Sequence, residues 1–459
     1  MHRTYNFKFM GNQKQMPMKN LIKSLNEAKS LIRKGIYLLI TVTTFMIWSV
    51  DVSGNSLINQ TIQDTSKIVS VKGKIIDSAT KKPISYTNIY LVNSNIGTIS
   101  NNDGEFILKV PQNKVNVPIR ISYMGYKNQE LTIEQIQSRN NIIELSTEIV
   151  TLKELIIRSN DPQNLIRSAI HNIPVNYGNS PYLCTAFYRE SVMQNKQYVG
   201  LAEAVLNIYK SRYSNAFELD RVKVYKGRKS QDVKKMDTIM FKLQGGHQAV
   251  VMLDLAKNPE SFMNEEYFND YEFKPVNITN IEGRETYVIE FIQREGIQEP
   301  LYEGKLYIDL NTLAIRRAEF GISAYGLQFA DRYLVKKKPI GTDVKTVGAN
   351  YMVSYREQDG KWVLNHARYE VKFRVIKRGK FFNKVYTSAA DLAITDIDNK
   401  NVEKFKLNET LKPNQIFGDH VEEYYDEEFW GNYNIIKPEE SLEDAVERIS
   451  RKMRKLSSL

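Results

Sequence analysis

From Val69 onward the chain alternates apolar and polar residues with a period of two, and turn residues interrupt the alternation every few positions. That period puts successive side chains on opposite faces of a strand. VSVKGKIID ends in the polar turn SATKKP, and ISYTNIYLV follows. TISNNDGEFILKV then doubles back over Asn102, Asp103 and Gly104, where Asp-Gly supplies the positive φ of a tight hairpin. PIRISYMGYKNQELTI and NIIEL complete roughly 75 residues of short strands, the spacing of a compact β-sandwich.

The alternation resumes over residues 181–420 with longer runs. YVGLAEAVLNIYK, YEFKPVNITNI, TYVIEFIQR, LYEGKLYIDL, LAIRRAEFGIS, NYMVSYREQ and KWVLNHARYEVKFRV read as strands, with Glu282-Gly283, Asn311-Thr312 and Asp359-Gly360 as hairpin turns. Apolar residues on both sides of LYEGKLYIDL and TYVIEFIQR predict a sheet with one packed face and one partly open apolar face. QAVVMLDLAKN predicts one helix among these strands. Between the two β regions, Asn160 or Asp161 caps a helix with Pro162 at its first position, an apolar face of Leu165, Ile166, Ala169, Ile170 and Ile173, and Pro174 as its stop. At the chain's end Ser441 caps a second amphipathic helix, with Leu442, Ala445, Val446, Ile449, Met453 and Leu456 on one face and Arg451, Lys452, Arg454 and Lys455 near its end.

The expected fold is therefore mostly β: an N-terminal sandwich, then a larger antiparallel β domain, flat or curved into a half-barrel, with a few helices. The expected segments are the sandwich at 69–146, a linker and helix at 147–180, the antiparallel domain at 181–420, and an acidic, aromatic tail with its helix at 421–459. Composition agrees, since 27 Tyr and 19 Phe favour pleated, half-buried surfaces.

Residues 1–54 have a different character. A basic stretch with Lys19, Lys23, Lys29, Arg33 and Lys34 runs into GIYLLITVTTFMIWSV, and Val52 and Gly54 supply small positions before a cleavage point. The apolar run is shorter than the roughly 20 residues of a spanning helix, which makes 1–54 a signal peptide, with an uncleaved signal anchor as the alternative. This segment holds eight Lys or Arg and two acids, so +6 of the chain's net +11 leaves with it and +5 remains. Export and the absence of a recognition motif or basic stripe exclude nucleic acid as a partner. KKK at 336–338 and KRGK at 377–380 read as solvated charge that at most touches an anionic lipid surface at the membrane periphery.

VKGKIIDSATKKPISYTNIYLVNSNIGTISNNDGEFILKVP, followed by ISYMGYKNQELTI, closely resembles the carboxypeptidase regulatory-like domain. The resemblance rests on the G-K-I-I-D opening, the Pro83–Tyr90 strand, Gly97-Thr98 before NDGEF, and Ser122-Tyr123-Met124-Gly125-Tyr126. It implies a transthyretin-like fold and a place in a Gram-negative envelope, where such domains precede the plugs of outer-membrane receptors. TLKELIIRS at 151–159 resembles the segment that follows the domain there, but reads here as a linker strand. The succession YVIEF, GKLYID and AIRRAEF weakly resembles the curved sheet of outer-membrane lipoprotein carriers.

Candidate chemistry is sparse. His420 and Glu423 have the H-x-x-E spacing of two zinc ligands in metallocarboxypeptidases, but no third His follows. There is no H-E-x-x-H, G-x-S-x-G, phosphate loop or G-x-G-x-x-G. Glu265-Glu266 and the cluster Glu422, Glu423, Asp426, Glu427 and Glu428 match no calcium loop, and Asn101, Asn102 and Asp103 read as turn rather than calcium ligands. Trp362 and Trp430 are the two tryptophans outside the signal that could form a sugar platform. Cys184, the only cysteine, cannot pair within the chain and reads as a core residue. The sequence thus assigns no catalytic, cofactor-binding or metal residues and implies no cofactor. The expectation is a non-catalytic envelope protein, periplasmic or associated with the outer membrane, that binds another envelope protein or an apolar or glycan ligand. A periplasmic lipid or lipoprotein carrier and, third, a hydrolase are the alternatives.

Overall fold

The computed structural model describes residues 67–148, 161–195, 197–215, 218–231, 246–274, 276–281, 283–335, 341–377, 383–413, 415–423 and 430–438. The expected signal peptide, TLKELIIRS, most of the two Lys-rich stretches and the terminal helix lie outside the described residues.

The first β region forms two facing sheets. Strands β1 (Ile68–Asp77), β4 (Glu105–Pro111) and β7 (Ile142–Leu145) make one, in the order β4-β1-β7. Strands β2 (Asn88–Leu91), β3 (Gly97–Ile99), β5 (Ile119–Ser122) and β6 (Gln129–Leu131) make the other, in the order β3-β2-β5-β6. Alternate residues such as Ile75, Ile89, Phe106, Leu108, Ile121 and Ile143 point between the sheets and are fully buried, which is the sandwich expected from the pattern. A short helix α1 (Ile133–Ser138) leads into β7, and a reciprocal capping box between Thr132 and Gln135 fixes its start.

One element differs from expectation. The strands on either side of Asn102-Asp103-Gly104 do not form a hairpin: β3 bonds to β2 and β4 bonds to β1, so the turn crosses from one sheet to the other. Gly104 does have the expected positive φ, at 75°. The Asn101 side chain sets the turn by accepting from the backbone N–H groups of Asp103 and Glu105, at 3.0 and 2.8 Å.

The second β region is a single open sheet of twelve strands among the described residues, not a closed barrel. Its strands are β8 (Tyr182–Gln194), β9 (Gln197–Lys210), β10 (Arg221–Gln231), β11 (Tyr271–Phe273), β12 (Asn277–Ile281), β13 (Arg284–Gln293), β14 (Tyr302–Asp309), β15 (Ile315–Ile322), β16 (Thr342–Gln358), β17 (Lys361–Lys377), β18 (Lys384–Asp398) and β19 (Glu422–Glu423). The order is β11-β13-β14-β15-β16-β17-β18-β8-β9-β10-β19, with β12 also paired to β13. Positive φ at Gly283, Asp359 and Gly360 closes the hairpins β12–β13 and β16–β17, as the turn chemistry predicts.

The helices are shorter than their patterns suggest. Asp161 caps α2 (Pro162–His171), and Pro174 does not stop it but sits in the first turn of a separate short helix, α3 (Ile173–Asn176). The run QAVVMLDLAKN is helical only within α4 (Gly246–Met252). Beyond Met252 the chain turns so that Asp254 reaches the buried Lys210, Tyr213 and Tyr355, and those three bonds outweigh continuation of the helix.

Two adjacent rungs of the sheet organise everything that packs on it. Glu290, Lys305, Glu319, Met352, Arg368, Asp391, Arg189, Glu203, Arg228 and Glu422 are successive partners across ten strands, so charge alternates in sign along the rung except at Met352. Their chain neighbours Phe291, Gly304, Phe320, Tyr351, Tyr369, Ala390, Glu190 and Ala202 form the next rung on the opposite face. The charged rung lies on the outer face, and the largely aromatic rung on the inner one. Segments 161–177 and 246–273 cover the inner face, where Phe262 stacks on Phe291 with ring centroids 4.1 Å apart. The sandwich covers the outer face. Its Tyr86 and Tyr123 lie 5.3 and 5.8 Å from the guanidinium carbons of Arg368 and Arg317. What stays open on that face is charged rather than apolar: the Lys305 and Glu319 side chains are 49% and 39% exposed.

Candidate functional site

Four of the buried polar clusters among the described residues bear on function, and the hydrogen-bond state of each separates structural from functional ones. Lys210 reaches Asp220 and Asp254 at 2.5 and 2.7 Å, and Tyr213 and Tyr355 complete Asp254 at 3.0 and 2.9 Å. Burial works against the Lys210 ammonium, yet the two carboxylates hold its pKa well above the usual lysine range. On the outer face Glu203 takes Arg189 on one oxygen and Arg228 on the other, at 2.7 and 2.9 Å. Both clusters are internally satisfied and tie strands to loops.

The third cluster bears on the hydrolase alternative. His366 Nε2 lies 3.0 Å from Asp391 Oδ1, while Arg368 bonds the other carboxylate oxygen at 2.5 Å. Ser354 sits opposite His366 in register, but its hydroxyl accepts from Asn365 Nδ2 at 3.5 Å rather than bonding the imidazole. Tyr86 of the sandwich covers the ring with centroids 5.3 Å apart. Burial lowers the His366 pKa against the pull of Asp391. A nucleophile hydrogen-bonded to its base, the arrangement acyl transfer requires, is not formed here.

The fourth cluster is incomplete. On the inner face Tyr188 donates to Glu190 Oε2 at 2.7 Å, and Gly246 of α4 presses onto the pair. A Cβ at residue 246 would lie 2.8 Å from Glu190 Oε2 and 3.1 Å from the hydroxyls of Tyr188 and Tyr369, so only glycine allows this approach. The next residue, His247, is fully buried against Phe417, and its ring meets the Lys412 backbone only in a geometry too poor for a full hydrogen bond. Burial pushes the Glu190 carboxyl up to about 7 and the His247 imidazole down to about 4. Near neutral pH the site therefore offers a partly protonated carboxyl and two tyrosine hydroxyls at the end of an aromatic rung, while the neutral His247 imidazole is buried against Phe417 one residue along α4. Such groups suit a neutral polar group on an otherwise apolar molecule.

These two groups titrate in opposite senses. An unfolded Glu releases its proton near 4.5 and folded Glu190 near 7, so Glu190 favours the fold below 4.5 and loses that contribution as pH rises to 7. An unfolded His binds its proton near 6.5 and His247 near 4, so His247 favours the fold above 6.5 and loses that contribution as pH falls to 4. Each change amounts to about 3 kcal/mol, and between 4.5 and 6.5 they oppose each other. Glu190→Gln is expected to expose the His247 loss as a fall in urea midpoint between pH 6.5 and 4. A profile parallel to wild type would show that Glu190 does not titrate in this way.

Residues singled out from the sequence fall elsewhere. His420 is exposed on the single turn Phe417–His420, and the Glu423 side chain lies outside the described residues, as do Asp426, Glu427 and Glu428. Among the described residues no group of three or more His, Cys, Asp or Glu is gathered to hold a metal. Asn102 accepts from Tyr86 at 2.7 Å, and Glu265 pairs with Arg167 at 3.1 Å. Trp362 and Trp430 are buried, Trp362 beneath Arg284 and Arg316, so neither offers a face to a sugar. Cys184 is buried, and burial raises its thiol pKa to about 12. A cleft of about 10 Å³ beside α4, lined by Glu218, Leu219 and Met252 among others, has room for about one water and none for an acyl chain. Glu190 and His247 escaped sequence reasoning because neither belongs to a motif, and only the packing of α4 on the sheet brings Gly246 and its neighbour His247 to the Glu190 rung.

The family model of the CarboxypepD_reg-like domain matches residues 71–157. Among curated proteins none matches. Three solved structures are weakly similar. A DUF1329 family protein from Desulfovibrio piger is 12% identical, over 52% of this chain and 93% of its own, with a TM-score of 0.20. A LolA superfamily protein from Nitrosomonas europaea is 11% identical, over 53% and 97%, at 0.17. Lipovitellin is 11% identical, over 50% and 26%, at 0.22.

Proposed function

We propose that the chain is an exported, non-catalytic binding protein of a Gram-negative cell envelope. In this reading the CarboxypepD_reg-like sandwich braces the outer face of the sheet, and the Glu190 end of the inner face, beside α4, holds an apolar ligand with one neutral polar group, which has to displace part of segment 246–273 to reach the aromatic rung. The observation that carries the reading is the inner rung from Phe291 to Glu190, which ends at a buried carboxyl held by Tyr188 and pressed by Gly246 of α4. The signal-like pattern of residues 1–54 supports export, and the sandwich family is one that resembles envelope modules. A lipid carrier would use the same aromatic face, through Phe320, Tyr351 and Tyr369, only with segment 246–273 displaced from it.

Solvent extraction and mass spectrometry of protein purified without detergent test the proposal. One equivalent of an apolar molecule is expected from wild type, and at least fivefold less from Tyr369→Ala. Extracts that contain no such molecule, from a protein that also fails to take up long-chain esters or amides, would overturn it. Transfer of the bound molecule between vesicles would distinguish carriage from static binding.

A further inference from the structure

Residues 430–438, WGNYNIIKP, run as an extended strap along the seam between sandwich and sheet, held almost entirely by contacts to other parts of the chain. The sandwich grips it through the loop and strands that carry its family-like residues. Thr98 Oγ1 donates to the Ile435 carbonyl at 2.9 Å, and Asn101 Nδ2 to the Pro438 carbonyl at 3.2 Å. Asn434 Oδ1 accepts from the Lys109 backbone N–H at 2.7 Å, and Lys437 pairs with Glu105. The sheet contributes Arg189, which donates to the Ile436 carbonyl at 2.7 Å, and Arg228, whose guanidinium lies 4.9 Å from the Trp430 ring. Trp430, Ile435 and Ile436 are buried with Phe187, Val205, Ala393 and Ile99.

These contacts have the anatomy of peptide recognition rather than of a packed loop. Main-chain carbonyls of the strap are read by side chains of the seam, and apolar anchors fill pockets at both ends with an aromatic residue over an arginine. The strap donates one backbone hydrogen bond to itself, from Tyr433 to Trp430 at 3.1 Å, and forms no strand, so its conformation is imposed by the groove. We propose that the seam is a binding groove for an extended peptide, and that residues 430–438 of this chain occupy it as an intramolecular ligand. The strap thereby latches the sandwich to the sheet and shields the groove from other peptides of the same pattern.

The test uses the full-length chain with its own strap weakened by Trp430→Ala and Ile436→Ser, and a fluorescent peptide of sequence WGNYNIIKP. Anisotropy is expected to show binding to this variant at least tenfold tighter than to wild type, whose groove is filled. Adding Thr98→Val to the weakened chain is expected to reduce that binding about fivefold. Equal binding to both chains, or none to a variant with a wild-type far-ultraviolet spectrum and a cooperative melt, would overturn the proposal. Should the weakened variant not fold, Asn434→Ala removes a single contact and is read by hydrogen exchange. Faster exchange confined to the Thr98–Lys109 side of the seam supports the latch, and unchanged exchange there overturns it.

Discussion

A Gly104→Val chain is expected to lose about 4 kcal/mol of stability in its sandwich, enough to shift or abolish the melting of that part of the molecule. Two independent effects add at this residue. Its φ of 75° lies in the left-handed region, which a β-branched side chain resists. A Cβ there would also stand 2.3 Å from the Ile75 carbonyl oxygen, an approach that backbone on both sides would have to relieve. That carbonyl is already committed, accepting from Ile84 at 3.0 Å, while the Ile75 N–H donates to the Gly104 carbonyl at 2.8 Å. Moving the turn therefore breaks the bonds that hold it to β1. Gly104→Ala meets the same oxygen and is expected to lose about half as much. An unaltered calorimetric transition for Gly104→Val would show that the turn does not have this geometry.

The same turn shows how far the sequence could be read. Its local chemistry, glycine at positive φ after Asn and Asp, was legible, because turn preferences are properties of the residues themselves. Its topology was not, since a hairpin and a crossing between sheets place the same demands on Asp103 and Gly104. Strands whose faces differ were legible for the same local reason. β18 was not, because Tyr386 through Thr395 are buried on both sides and leave no alternation to detect. β10, RVKVYKGRKSQ, hid behind its charges, although Arg228 is among the most enclosed side chains of the outer rung. The pairs Arg189-Glu190, Ala202-Glu203, Arg368-Tyr369 and Ala390-Asp391 stand in the sequence as charged residues beside aromatic, acidic or small ones. Nothing local announces that strands separated by up to about 200 residues align them into one charged and one aromatic row, because register is a long-range property. The inner cluster of Tyr188, Glu190 and Tyr369 depends on that register and on α4 packing over it.

Removing Glu203 is expected to be as damaging as the glycine change, for an electrostatic reason. The carboxylate is 1% exposed and lies between Arg189 and Arg228, themselves 5% and 7% exposed. Burial pushes its pKa up, but the two guanidinium groups more than reverse this and hold it below the usual carboxylate range. Glu203→Ala would leave the positive charges of β8 and β10 facing each other across β9 with no anion between them. Breaking a buried ion pair from one side costs about 3–5 kcal/mol, and here one deletion removes the carboxylate that two cations share. A urea midpoint at pH 7 within experimental error of wild type would contradict this account. The triple change Arg189→Met, Glu203→Leu and Arg228→Met removes all three charges together and is expected to recover most of the loss, since a well-packed apolar replacement of a buried triad is often neutral. The recovery should be incomplete in one place. Arg189 also holds the Ile436 carbonyl and Arg228 also lies against Trp430, so the sheet can regain its stability while residues 430–438 remain loosened. Hydrogen exchange on the triple variant is thus expected to be near wild type in β8 and β9 and faster in the strap, which separates the row's part in the fold from its part in holding the chain's own peptide.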